Sequence, residues 1–345
     1  MTKVGIFGAA GYGGVDLIRI LLNHPQVEIT YLAGHSTVGQ RLSDIYPFLE
    51  GTCDTQIEES SLDLACERAD LLFSALPHAT ATEMVRDALV RGKRIIDFSA
   101  DFRLKDANEY RAYYQLHPCP EVIPQAVYGL PELHRAQIMK TDLVAVPGCY
   151  PTGAILALTP AVKNGLISTE GIIVDSKSGV SGAGRTKLTL GTHFAEVNES
   201  VHAYAVASHR HTPEIEQELS TQGAQVRVTF TPHLVPMNRG ILSTCYAQMN
   251  REMSTEDVLA VYRETYQDEP FIRVLQEGKL PRTKDTTGSN RCHVGVVVDE
   301  RNGRLVAVSA IDNLTKGLAG AAVQCMNLTL GLPETMGLQF PGMWP

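Results

Sequence analysis

Val4-Gly5-Ile6-Phe7-Gly8-Ala9-Ala10-Gly11-Tyr12-Gly13-Gly14 decides the reading of the fold. Val4 to Phe7 is the short apolar run a buried strand needs, and Val15, Ile18, Leu21 and Leu22 then keep helical spacing. Between them Gly8, Gly11 and Gly14 are spaced G-x-x-G-x-x-G, one residue off the common dinucleotide fingerprint G-x-G-x-x-G. The physics carries over. Glycine permits positive φ, and backbone N–H groups at a helix N-terminus can then approach a pyrophosphate. A plain tight turn uses the same residues, so the position of the loop after a chain-initial strand is what favours a nucleotide. Cofactor contacts are expected from Gly8, Gly11, Tyr12, Gly13 and Gly14.

Outward from this loop, apolar runs at 27–32, 70–75, 94–98 and 143–146 read as further strands, with a helix at 80–91 stopped by Gly92. Strands alternating with helices imply βαβ units and a parallel sheet. Beyond residue 148 the texture changes. A helix at 152–163 leads to a strand at 172–175 and a Gly/Ser stretch at 176–185. The β-rich runs 225–230, 241–246, 294–298 and 305–308 read as a second, largely antiparallel sheet, flanked by helices such as 255–266. A Gly/Ala-rich amphipathic helix at 314–330 closes the pattern. The expected class is α/β: a Rossmann-type parallel-sheet domain at 1–148, completed by the C-terminal segment 314–345, and an α+β domain at 149–313 for catalysis and oligomerisation. A chain of 345 residues is long enough for both.

Composition excludes several classes. With 44% apolar and 20% charged residues the chain is ordinary globular protein, not a disordered one. A net charge of −8 offers no basic face for nucleic acid. The longest apolar runs are about ten residues and a membrane span needs about 20, so no membrane role is expected. The first residues run straight into a strand with no signal-peptide h-region. Cysteines 53, 66, 119, 149, 245, 292 and 325 are odd in number and include no C-x-x-C, so neither a disulfide framework nor a metal site is expected. That usage fits a reducing cytoplasm. The second strand ends Tyr31-Leu32-Ala33-Gly34-His35-Ser36-Thr37, with no acid for a ribose 2′-hydroxyl. Small hydroxyls suit a 2′-phosphate better, so NADP is expected over NAD, with Ser36 and Thr37 as contacts.

One cysteine stands apart. In Pro147-Gly148-Cys149-Tyr150-Pro151-Thr152-Gly153, Pro151 suits a first helical turn and puts Cys149 just ahead of a helix N-terminus. The partial positive charge there favours a thiolate. Cys53, Cys66, Cys245 and Cys325 read instead as small buried hydrophobes. A nucleophilic thiol wants an acid or base, and Ser208-His209-Arg210-His211-Thr212-Pro213-Glu214 sets two histidines at the start of another helix. Glu214 either complements that helix dipole or orients an imidazole. The remaining nine histidines read as structural or solvated.

With these motifs in hand, the chain closely resembles the longer type of N-acetyl-γ-glutamyl-phosphate reductases of arginine biosynthesis, nearly end to end. The resemblance runs through the Gly8–Gly14 loop, Leu76-Pro77-His78, Ala100-Asp101-Phe102-Arg103-Leu104, Tyr128-Gly129-Leu130-Pro131-Glu132 and the Cys149 segment. It continues through residues 178–185, 209–215, Pro236-Met237-Asn238-Arg239-Gly240, Gly278-Lys279-Leu280-Pro281 and Ile311-Asp312-Asn313-Leu314-Thr315-Lys316-Gly317. Ala10, where Ser is frequent, and Val15-Asp16 are minor departures. The resemblance implies a second domain like that of glyceraldehyde-3-phosphate and aspartate-semialdehyde dehydrogenases. It also implies NADPH-dependent reduction of an acyl phosphate to a semialdehyde with release of phosphate, through a cysteinyl thioester.

Cys149 then matches the family's nucleophile and His209 its acid/base, with His211 the runner-up. Arg103, Lys177, Arg185 and His211 are candidate substrate contacts, since the substrate carries a carboxylate and a phosphate. An ion pair of Arg103 with Asp101 or Asp106, and solvated loop charge at Lys177 and Arg185, are the competing readings. Pro77, Ser178, Gly179, Ser181, Gly182 and Asn313 are candidate cofactor contacts, Asn313 being open also to a structural Asx-turn. A homodimer or homotetramer is implied. Three alternatives are weighed: a sister enzyme for aspartyl or carrier-linked aminoadipyl phosphate, an NADP-binding redox sensor using Cys149 as an oxidisable switch, and a scaffold on an inherited fold.

Overall fold

The opening apolar run forms strand β1 (Thr2–Phe7), and Gly8, at φ 80°, turns it into the helix Tyr12–Leu21. The structure is a computed structural model that describes residues 1–186 and 189–344. Two units emerge. The first is Met1–Pro147 with Gly184–Thr186 and Leu318–Gln339; the second is Gly148–Ala183 with the described residues of Lys187–Gly317 and Phe340–Pro345.

In the first unit β1 is joined by β2 (Val27–Gly34), β3 (Glu58–Glu59), β4 (Leu71–Ser74), β5 (Arg94–Asp97), β6 (Ala126–Tyr128) and β7 (Leu143–Ala145). All pair in parallel, in the order β3-β2-β1-β4-β5-β7-β6. A parallel sheet of this kind is covered on both faces, which is why β4 and β7 are buried at every residue. The segment read as an amphipathic helix at 314–330 differs. Thr315–Ala319 forms a π-turn, and the helix that follows, Gly320–Thr329, is buried at all its residues. It packs against the helices Tyr12–Leu21 and Pro131–Ile138, and its small residues suit a position enclosed on every side.

The second unit holds β8 (Ile172–Ser178), β9 (His202–Ala203), β10 (Val228–Leu234), β11 (Ile241–Gln248), β12 (Ile272–Val274), β13 (Cys292–Asp299) and β14 (Arg304–Ile311). Their order is β12-β13-β14-β11-β8-β10-β9. The pairs β8/β10 and β12/β13 are parallel and the other four antiparallel. Strand β8 runs three residues past the expected Asp175 and carries Ser178 with it, and the strand expected at 225–230 lies instead at β10. Against this sheet lies the helix Cys149–Lys163, which starts at Cys149 itself rather than after it. Pro160 removes the donor that would serve the Leu156 carbonyl, and the Tyr266 hydroxyl supplies one at 2.6 Å.

At the end of β5 a carboxyl is wholly enclosed. Asp97 accepts from Ser99 Oγ at 2.5 Å, and desolvation, with the Asp101 carboxylate as a lesser cause, pushes it up to about 6. The folded chain therefore holds a proton that the unfolded chain has released, and the group's contribution to stability falls as pH rises from about 4 to 6. The span corresponds to roughly 3 kcal/mol. Asp97→Asn removes this titration. The unfolding free energy of the variant relative to wild type, from urea melts at pH 4 and pH 7, is expected to improve by up to about that amount. An unchanged difference would contradict it.

Candidate active site

Backbone geometry fixes the thiol. The Gly148 N–H donates to Glu214 Oε1 at 2.6 Å, with that carboxylate almost fully buried at the start of the helix Thr212–Ser220. Glu214 is the acid in the first turn of its helix, as one of its two expected roles has it, and it also ties that helix to the residue before Cys149. A Cβ on Gly148 would sit 2.7 Å from His211 Nε2, so only glycine lets that ring lie on the backbone here. On the other side of the cysteine, a Cβ on Gly317 would lie 2.9 Å from Cys149 Cβ. The thiol is half-buried at the first turn of its helix, between two backbone segments that lack side chains.

Beside it opens a cavity of about 370 Å³, lined by Cys149, Tyr150, Ser178, Gly179, Gly182, Tyr204, His209, Arg210 and His211, among others. His209 stands in an aromatic enclosure, 5.7 Å from Tyr150, 5.6 Å from Tyr204, 5.3 Å from Phe230 and 4.7 Å from His211 by ring centroid. Its Nδ1 receives the His211 backbone N–H at 3.1 Å. A backbone N–H can only donate, so the proton of the neutral ring is on Nε2. Burial, helped by the Arg210 charge, lowers His209 to about 4, which keeps it neutral at pH 7. The Tyr204 hydroxyl donates to Tyr150 Oη at 3.0 Å, and Tyr150 in turn to the His233 carbonyl at 3.3 Å. Burial raises both phenols, Tyr204 to about 12, so neither ionises at neutral pH.

The expected substrate cations are not gathered here. His211 lines the cavity, but Arg103 is buried in the first unit, where Nε donates to the Val146 carbonyl at 2.7 Å and a terminal nitrogen to the Phe98 carbonyl at 2.8 Å. Neither Asp101 nor Asp106 explains it: Asp101 takes the Ala79 N–H and the Tyr110 hydroxyl, and Asp106 caps the helix Ala107–Tyr113. Lys177 pairs with Asp175 at 2.9 Å. Arg185 lies in the first unit against the glycine loop, donating to the Ala10 carbonyl at 3.3 Å. Ser181 is bonded to the Asn238 carbonyl at 2.6 Å and receives Asn313 Nδ2 at 3.0 Å, while Asn313 Oδ1 accepts from the Gly240 N–H at 2.8 Å. Tyr150, Tyr204 and Arg210 went unread in the sequence, although two of them adjoin Cys149 and His209.

The glycine loop of the first unit fits a dinucleotide. A Cβ on Gly8 would be 2.4 Å from the Ala75 carbonyl oxygen, and one on Gly14 2.4 Å from that of Gly8. Gly13 packs on Leu318, where a Cβ would come within 2.7 Å. Gly11 has space around it, and the N–H groups of Tyr12, Gly13 and Gly14 precede the first intrahelical bond, from Val15 to the Gly11 carbonyl. The loop at Pro77 is held by the Asp101 contact to Ala79, at φ 60°, and by the Ala100 N–H to His78 Nδ1 at 3.0 Å. Ser36 is exposed beyond β2, and Thr37 folds back against Gly34.

A parallel-sheet nucleotide unit followed by a thiol-bearing mixed-sheet unit defines the class of semialdehyde dehydrogenases. The family's NAD binding domain matches residues 3–141 and its dimerisation domain residues 149–313. The fold is also that of aspartate semialdehyde dehydrogenase II from Vibrio cholerae, with TM-score 0.72, 18% identity, 96% of this chain and 98% of that one covered. Aspartate semialdehyde dehydrogenase from Candida albicans, solved with NADP, superposes with TM-score 0.71 at 17% identity over 95% and 98% of the two chains. Far nearer in sequence are the N-acetyl-γ-glutamyl-phosphate reductases of Pelotomaculum thermopropionicum, 53% identical over 100% of this chain and 99% of the relative, and Citrifermentans bemidjiense, 50% identical over the full length of both. The chain belongs to the N-acetyl-γ-glutamyl-phosphate reductase family.

Six of the seven thiols serve as internal controls for the seventh. Cys53, Cys119, Cys245, Cys292 and Cys325 are buried, and burial pushes Cys245 up to about 12. Cys66 is half-buried like Cys149 but lies late in the short helix Leu62–Arg68. Limited iodoacetamide labelling read by peptide mass spectrometry should modify Cys149 at least about tenfold faster than Cys66. Equal labelling of the two would remove the case for an activated thiol.

Proposed function

We propose that the chain reduces N-acetyl-γ-glutamyl phosphate to N-acetylglutamate semialdehyde with NADPH, releasing phosphate. The observation that carries this is the pairing of Cys149, at its helix start, with neutral His209 across one cavity, in a chain about half identical to reductases of that name. The Cys149 thiolate attacks the acyl carbon; the bond to the phosphate oxygen breaks, phosphate leaves with the electron pair and takes its proton from solvent. The thioester remains on the chain. When bound, the dinucleotide supplies the hydride that reduces the thioester carbon. His209 Nε2–H donates a hydrogen bond to the carbonyl oxygen as negative charge collects on it, joined by the backbone N–H groups at the helix start. The oxyanion then collapses, the C–S bond breaks and the thiolate is restored, with no proton required from the ring.

The acid/base role drawn from the resemblance thus becomes, with a ring that titrates near 4, that of a neutral donor. Arg210, which lines the cavity between the two histidines in the chain, is the candidate cation for the substrate's anionic groups. For the cofactor, the lack of an acid at residues 33–37 favours NADPH over NADH. A family whose second domain is described as a dimerisation domain supports a homodimer or homotetramer. Among the described residues no helix is long and apolar enough to cross a membrane, and a mechanism that needs a reduced thiol fits a cytoplasmic enzyme.

Phosphate-dependent NADP reduction, with N-acetylglutamate semialdehyde and aspartate semialdehyde in parallel, tests the assignment. Activity is expected on the first, and Cys149→Ser should lose at least about 10³-fold in kcat. Equal rates on the two aldehydes would defeat the substrate, and an active serine variant the thioester. The pH dependence of kcat/KM tests the ring. With His209 neutral above about pH 4, no His209-dependent ionisation between pH 6 and 7 is expected in the free enzyme. One that is present in wild type and absent from His209→Asn would refute the neutral-donor role.

A further inference from the structure

Arg185 was expected at the substrate, yet it packs with the nucleotide unit. Its guanidinium lies over the Tyr46 ring, 5.3 Å from the centroid, and one nitrogen donates to the Ala10 carbonyl at 3.3 Å. The Tyr46 hydroxyl donates to that same carbonyl at 2.9 Å. Two donors therefore converge on the tip of the glycine loop, and stacking holds the guanidinium plane in one orientation. Among the described residues no carboxylate pairs with Arg185, and its other N–H groups meet no acceptor. An arginine fixed in plane with most of its donors unspent is built to receive an oxyanion.

Its position says which one. The Gly8 and Ala9 N–H groups both donate to the Ala33 carbonyl, at 2.9 and 3.1 Å, so Ala10 lies beside the point where β2 ends. In dinucleotide folds the end of the second strand faces the adenosine ribose, where an acid selects the 2′-hydroxyl or a nearby arginine accepts a 2′-phosphate. Here Ala33-Gly34-His35-Ser36-Thr37 provides no acid and no arginine. We propose that Arg185, delivered from far along the chain after β8, is the residue that recognises the 2′-phosphate of the cofactor's adenosine. This deepens the NADPH reading above and rests on it. Substrate binding is the competing role, and the two differ in what they predict.

The test uses the whole enzyme and calorimetric titration with two fragments, adenosine 2′,5′-bisphosphate and adenosine 5′-monophosphate. Wild type should bind the bisphosphate the more tightly. Arg185→Ala should weaken the bisphosphate at least about tenfold and leave the monophosphate unchanged, as expected when a charge-assisted contact is lost. Arg185→Lys, which keeps the charge but not the fork, should fall between. In turnover, the KM for NADPH should rise in Arg185→Ala while the KM for NADH and for the acyl phosphate stay within about twofold. Wild-type discrimination retained in the alanine variant would overturn the role of Arg185 while sparing the NADPH reading. Equal wild-type affinity for the two fragments would overturn both. A rise in acyl-phosphate KM with unchanged fragment binding would return Arg185 to the substrate.

Discussion

Everything at the thiol depends on Gly148 having no side chain. Cys149 begins a helix, and it shares a cavity with two imidazoles, His209 and His211, from the turn that leads into a different helix. Both hold only if the two helix starts meet backbone to ring. The Gly148 N–H to Glu214 bond sets that approach, and the His211 ring occupies the volume a Cβ would need. Gly317 repeats the constraint from the other side of Cys149. The Gly317 backbone thus lies directly against the Cys149 Cβ, and close packing of this kind is how a scaffold positions a side chain.

The same contact separates the two histidines that sequence alone left interchangeable. His211 packs on Gly148, and its backbone N–H is the hydrogen-bond donor to His209. His209 receives that bond, sits among Tyr150, Tyr204 and Phe230, and is left with a single defined donor on Nε2. One short turn thus fixes a tautomer and its enclosure fixes the charge, so the ring is set for hydrogen bonding before any ligand arrives.

What was legible in the sequence follows from how local each feature is. The strand–glycine–helix opening and the start of the Cys149 helix are written in adjacent residues, through turn chemistry and apolar spacing. Strands β3 and β9, two residues each, have no period to read and exist only through their partners. The helix Gly320–Thr329 was misread as amphipathic because small residues carry little contrast between faces. Lys177 was open to a better reading, since Asp175 and Lys177 are two apart on β8 and so share a face of the strand. Arg185 was not: nothing local says which unit a loop residue will join.

Enclosed polar groups explain why the cavity wall can be built from loops at all. Asp312, fully buried, accepts the N–H groups of Leu314 at 2.8 Å, Thr315 at 2.9 Å and Gly288 at 2.7 Å, with Arg239 at 3.3 Å. It thereby fixes the turn that ends in Gly317 and the base from which Asn313 reaches Gly240 and Ser181. Ser181 adjoins Gly182, which lines the cavity. A buried carboxylate with this many donors costs little while every one is present, but removing any leaves charge without compensation. The turn beside Cys149 and the loop of Ser181 and Asn238 therefore form one hydrogen-bonded piece, and neither can shift to admit a side chain at Gly317 or a displaced Cys149 without breaking it.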